Sequence, residues 1–184
     1  MKSAPELTCL LSEPDSLLFK GYRELLLLSS EAHAERIAEE GLPGLYVDPV
    51  LQKNRKQYID LILKMHDKGL LHWRSSVEEQ VMLFFATKKN GSLRLIADAR
   101  RTNSRFRKPL PIQLPSAEGA TRIVAPDDGQ AFFGAGLDLK DYFHTLKIDE
   151  DLSSFFGLMP IRGRELPTEL RLALGLSLDS VKHP

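Results

Sequence analysis

Between positions 88 and 108 the chain carries Lys88, Lys89, Arg94, Arg100, Arg101, Arg105, Arg107 and Lys108 against a single acid, Asp98. A local excess of cations in one short segment is the chemistry of phosphate recognition, although a basic run is in many proteins only a solvated face. A second feature is Asp138, set between Leu137 and Leu139, with Asp141 three residues later. An ionised aspartate in an apolar strand is costly unless it is paired or holds a cation. Carboxylates at that spacing suit Mg²⁺, a hard cation that takes a few oxygens and keeps waters; D-x-x-D also caps helices.

The elements that must position these groups can be read from pattern. "VMLFFATK" is an apolar, aromatic run and "SLRLIADA" alternates, so Leu93, Leu95 and Ala97 point one way and Arg94, Ile96 and Asp98 the other. Asn90-Gly91 between them predicts a two-residue type I′ hairpin. Upstream, "SSEAHAERIAEEG" reads as a short helix capped by serines and stopped by Gly41 and Pro43. A longer helix is expected from the Asp48 cap and Pro49 to Gly69, roughly 30 Å of it, with Leu51, Tyr58, Ile62 and Met65 along one stripe. His66 and His72 near its end read as surface or capping residues. Downstream, 106–130 is rich in Pro and Gly, an extended connection with one short helix near 116–123. "AFFGAGLDLKDYFHTLKI" then reads as a buried strand carrying Asp138 into a short helix at 141–146.

The totals frame this. The 184 residues carry no net charge, so no global field draws the chain to nucleic acid; any such contact must be local. Cys9 is the only cysteine and reads as an inert small hydrophobe, which excludes an internal disulfide and points to a reducing, intracellular setting. The leucine run at 25–28 is far too short to span a membrane, and the start lacks the apolar core of a signal peptide. No membrane partner is expected.

Taken together and in order, "KKNGSLRLIADARRTN", the proline-rich "PLPIQLP" and "LDLKDYFH" resemble the reverse transcriptase family of retroviruses and retrotransposons. The family's fingers hairpin has the form K-K-x-G-x-x-R-x-x-x-D-x-R-x-x-N, and its first palm motif is close to L-D-L-K-x-x-[YF]-H. "LILKMHDKGLLHW" looks like the fingers helix before the hairpin, and the resemblance covers about residues 50 to 157.

The resemblance implies an α+β fold: right-hand polymerase fingers with a partial palm, truncated before the second catalytic carboxylate motif. It implies a helical extension at 1–48, a fingers-like region with the hairpin at 49–125, the start of a palm at 126–160 and a divergent tail at 161–184. It makes Arg94, assisted by Lys88 or Lys89, the holder of a deoxynucleotide triphosphate. Asp98 and Arg100 become an internal pair that braces the strand and approaches template. Asp138 becomes the catalytic metal ligand, joined by the Leu139 carbonyl, for Mg²⁺ with Mn²⁺ as a substitute. Phe143 takes the place of the aromatic that crowds a ribose 2′-hydroxyl. RNA or DNA primer–template and dNTP are the implied partners, with a separate palm and thumb segment to complete them.

This sequence departs from the family in two places. Tyr142 stands where the family has a small residue beneath the sugar. The second pair of carboxylates that two-metal chemistry needs has no counterpart, since Asp179 in "SLDSV" has no acidic neighbour. The expectation is therefore a polymerase fragment inactive by itself, against the alternative of a non-enzymatic nucleic-acid-binding remnant.

Overall fold

Ser12, Ser29, Asp48 and Asn54 each stand just before a helix and accept a hydrogen bond from an N–H of its first turn. Those N–H groups have no partner inside a helix, so the caps decide where helices begin. The computed structural model describes residues 5–109 and 146–184. Within them lie α1 (Glu13–Lys20), α2 (Tyr22–Leu25), α3 (Ser30–Glu40), α4 (Pro49–Lys53), α5 (Arg55–Asp67), β1 (Met82–Thr87), β2 (Leu93–Asp98), α6 (Arg100–Arg105), β3 (Ile161–Arg162), α7 (Thr168–Ala173) and β4 (Val181–Lys182). The mixture of helices and strands is that of an α+β chain. The expected strand through Asp138 and the short helices near 116–123 and 141–146 lie outside the described residues.

The long helix expected from Pro49 to Gly69 is two helices. Asn54 sits at φ −116°, ψ 82°, closes α4 with its N–H to the Val50 carbonyl, and opens α5 by accepting from Gln57 N–H. A short amide side chain competes well for backbone donors, and here that competition breaks the helix. The apolar stripe survives the break, with Leu51, Tyr58 and Ile62 all buried. Gly69, at φ 68°, ends α5: its N–H reaches the His66 carbonyl while Leu70 N–H reaches that of Met65. Only a residue at ease with positive φ closes a helix this way.

β1 and β2 pair antiparallel, with Phe84 opposite Ile96 and Ala86 opposite Arg94. β3 and β4 form a second, minimal pair. The main core joins Leu51, Tyr58 and Ile62 to Val81, Leu83, Leu158, Ile161 and Leu166. Burying a side chain such as Ile62 or Ile161 contributes about 1.5–3 kcal/mol each. Residues of the segment expected to be a divergent tail are thus packed in the core. A second cluster gathers Tyr22, Leu152 and Phe155, with Phe19, Leu26, Leu27 and Phe106 against it.

Polar latches hold distant segments together. Arg23 meets both oxygens of Asp151 at 2.7 and 2.8 Å and Glu78 at 2.7 Å, and the Tyr22 hydroxyl donates to Asp151 at 2.6 Å. The Arg23 hydrogen bonds hold the Asp151 carboxyl down at about 2. Arg55 grips Glu165 through both oxygens at 2.7 and 2.9 Å and donates to the Pro160 carbonyl at 2.6 Å. Tyr58 donates to the Met159 carbonyl at 2.8 Å. No helix of the described residues is long and apolar enough to cross a membrane.

Candidate functional site

The hairpin turn departs from the two-residue form. Lys88 N–H donates to the Ser92 carbonyl and Gly91 N–H to the Lys88 carbonyl, so the loop is Lys89-Asn90-Gly91, with Gly91 at φ 81°. This is the three-residue hairpin in which a glycine beyond a tight turn carries the positive φ. Asn90 fixes it from inside by accepting from both Ser92 N–H at 3.1 Å and Ser92 Oγ–H at 2.7 Å. The extra residue leaves Lys88 on the same face as Ala86 and Arg94, since side chains alternate along a strand.

Lys88, Lys89 and Arg94 consequently line one open concavity of about 570 Å³ at the hairpin tip, together with Ala86, Thr87 and Asn90. All three cations are exposed, and none forms an ion pair among the described residues. Both lysines reach the concavity, so either can share a phosphate with Arg94. A cluster of cations without ion-pair partners around one small concavity is suited to a polyphosphate or a strand backbone.

At the other end of β2, Asp98 is buried and fully engaged. Arg100 donates Nε–H to Oδ1 at 2.9 Å and Nη2–H to Oδ2 at 2.6 Å, and Tyr46 N–H donates to Oδ2 at 2.8 Å. Arg100 N–H adds a bond to Oδ1 at 3.2 Å. The Arg100 hydrogen bonds, helped by the backbone donors, hold the carboxyl far below the usual carboxylate range against the opposing effect of burial. Arg100 also donates to the Gly44 carbonyl at 2.7 Å, so the pair ties β2 to the strap before α4.

Most of the remaining basic residues are tied into the fold; Arg101 is the exception, its Nε buried without a hydrogen-bond partner among the described residues. Arg105 donates to His33 Nδ1 at 3.1 Å, Lys108 meets Glu40 at 2.8 Å, and Arg107 lies against the Leu27 carbonyl at 3.3 Å. From α3, Arg36 donates to the carbonyls of Ser104 and Phe106. Sequence reasoning missed this docking of α3 on α6. Its signal was the acid-rich, His33-containing helix at 31–40, complementary in charge to 100–108. Arg36, Glu40, Arg100, Asn103, Arg107 and Lys108 line a second basic concavity of about 550 Å³ there.

Asp138, Leu139, Asp141, Tyr142 and Phe143 lie outside the described residues. Among the described residues there is no cluster of three or more His, Cys, Asp or Glu side chains able to hold a metal ion. His66 accepts from the Trp73 indole N–H at 3.2 Å, His72 is exposed, and Cys9 is exposed rather than packed as a small hydrophobe. Set beside protein-family models, curated proteins and solved structures, the chain matches none of them.

Proposed function

We propose that the chain is the fingers portion, with the first palm motif, of a retroelement RNA-directed DNA polymerase, and that its hairpin holds the triphosphate of an incoming deoxynucleotide. One observation supports this reading above the others. Of the basic run, Lys88, Lys89 and Arg94 converge on one concavity without internal partners, whereas Arg100, Arg105 and Lys108 are tied into the fold. Fixed cations at such a site neutralise the charge that grows on a departing pyrophosphate.

In this reading Asp138 and the Leu139 carbonyl supply oxygens for Mg²⁺, or Mn²⁺ in its place, which would organise the triphosphate and activate the primer 3′-hydroxyl. By the resemblance, Phe143 would be the aromatic that crowds a ribose 2′-hydroxyl. Asp98 and Arg100 brace β2 so that Arg94 is presented rigidly, with the pair on the template side. A second reading, a nucleic-acid-binding protein without chemistry, is favoured by the second basic concavity, which needs no metal to attract a strand.

The test is binding of a primer–template duplex and of dNTP across a salt series, with Arg94→Ala and Lys88→Ala. Each is expected to lower affinity and to reduce the salt slope by about one for each phosphate left without its cation. Because the second pair of carboxylates has no counterpart, the isolated chain is expected to extend no primer; dNTP binding that Arg94→Ala weakens selects the polymerase fragment, and duplex binding without dNTP binding selects the second reading. If Arg94→Ala changes neither affinity nor slope, the hairpin is only a solvated face and the polymerase reading falls.

A further inference from the structure

A third cationic concavity is formed by Arg55 and the segment from Met159 to Val181. Arg55, Arg162 and Arg164 line a concavity of about 610 Å³ with Glu165, over a floor of Met159, Pro160 and Val181. Glu165 does not neutralise all of this charge. Both of its oxygens are taken by Arg55, with the Arg162 backbone N–H adding a third bond at 2.8 Å, and the Arg55 hydrogen bonds hold its carboxyl at about 2. Arg55 is further fixed by the Pro160 carbonyl and lies over the Tyr58 ring at 5.2 Å. Arg162 makes no ion pair among the described residues, and Arg164 has only a loose one, 3.8 Å from a nearly fully exposed Asp179.

The backbone between these two arginines is built to hold them. Gly163 N–H donates to the Ser180 carbonyl and Arg164 N–H to that of Leu178, each at 2.8 Å. A Cβ on Gly163 would collide with the Ser177 carbonyl oxygen, so a side chain cannot enter there. The close approach pins the backbone from which Arg162 and Arg164 project into the concavity.

We propose that this concavity binds a nucleotide unit, its phosphate between the Arg162 and Arg164 guanidiniums and its base or sugar on the Met159–Pro160–Val181 floor. The unpaired Arg162 and the loosely paired Arg164 offer two guanidiniums to a phosphate monoester, and guanidinium forks fit phosphate oxygens better than they fit a halide or a single carboxylate oxygen. The apolar floor and the volume exceed what inorganic phosphate needs. The site is independent of the hairpin and does not rest on the polymerase reading.

The experiment titrates the full chain with adenosine 5′-monophosphate, inorganic phosphate and a short oligothymidylate, following binding by calorimetry. Adenosine 5′-monophosphate is expected to bind more tightly than inorganic phosphate. R162A and R164A should each weaken it about tenfold, as removal of a charge-assisted bond implies. R164K, which keeps the charge but loses the fork, should recover only part of the R164A loss. If the oligothymidylate loses affinity in parallel in R162A, the phosphate belongs to a strand; if only the mononucleotide does, it belongs to a free nucleotide. The proposal is overturned if R162A and R164A, folded as judged by an unchanged melt, bind adenosine 5′-monophosphate as the wild type does, or if R94A alone abolishes that binding.

Discussion

Arg100 closes on Asp98 from two residues away in sequence, fork to carboxylate, and the same guanidinium reaches back 56 residues to the Gly44 carbonyl. The aspartate is 5 % exposed and the arginine 59 % exposed, so the pair has a dry end and a wet end. Asp98→Ala leaves the Tyr46 N–H without its acceptor and frees Arg100 into water. Because the arginine recovers hydration, the cost stays below that of a fully buried pair, at about 1–3 kcal/mol. Urea unfolding measures it, and an unchanged midpoint would show that the brace is idle.

Acid should unfold the protein through a few identifiable carboxylates. Asp98, Asp151 and Glu165 are all held below their ordinary values, first by hydrogen bonds from Arg100, Arg23 and Arg55 respectively. A depressed carboxylate gives stability that is full above its unfolded pKa and lost as pH falls through the folded value. Stability should therefore hold down to about pH 4.5 and fall steeply towards about pH 2. Glu165→Gln should lower the plateau and flatten the descent, which a pH series of thermal melts will register.

His33 should add a separate, gentler step nearer neutrality. Its Nδ1 accepts from Arg105, so its Nε2–H donates to Ser104 Oγ at 3.2 Å, and burial followed by the nearby Arg105 holds it below the ordinary histidine value. Arg36 opposes its protonation as well, and Glu79 favours it. Neutral His33 contributes stability that is full above about pH 6.5 and is lost as pH falls through its depressed folded pKa. An NMR titration of the ring protons should report that lowered value, and Arg105→Ala should raise it; a His33 that titrates normally would mean that α3 is not docked on α6.

Thr102 is completely buried and donates its hydroxyl to the Phe155 carbonyl at 2.5 Å. Thr102→Val keeps the shape but leaves that carbonyl without this donor, a loss of about 1–3 kcal/mol. Thr102→Ser, which keeps the hydroxyl, should recover more than half. A Thr102→Val that is as stable as the wild type would show that the hydroxyl bond contributes nothing.

How far the sequence can be read depends on how local the causes are. The hairpin, its two strands and the Asp98–Arg100 pair depend on neighbours within a few residues, and all are foreseeable from alternation and turn chemistry. The turn itself differs from its expectation by one residue, because Asn-Gly serves both two- and three-residue loops and the choice is made by the Ser92 hydrogen bonds to Asn90. The Asn54 break is hidden inside a strong apolar stripe, which a kinked pair of helices can satisfy as well as one straight helix. Arg55–Glu165 and Thr102–Phe155 join residues 110 and 53 positions apart, and no periodicity announces such pairs. For the same reason the tail looks unrelated to the core: Ile161 and Leu166 are too few and too irregularly spaced to mark an element.

The Tyr58 hydroxyl is answered by a carbonyl 101 residues downstream. During synthesis, then, α5 emerges with its best-buried face bare and keeps it so until Met159 and the segment after it have left the ribosome. Closing a core over such a separation is slow, and the waiting stripe of Leu51, Tyr58 and Ile62 is a surface on which a chaperone would act.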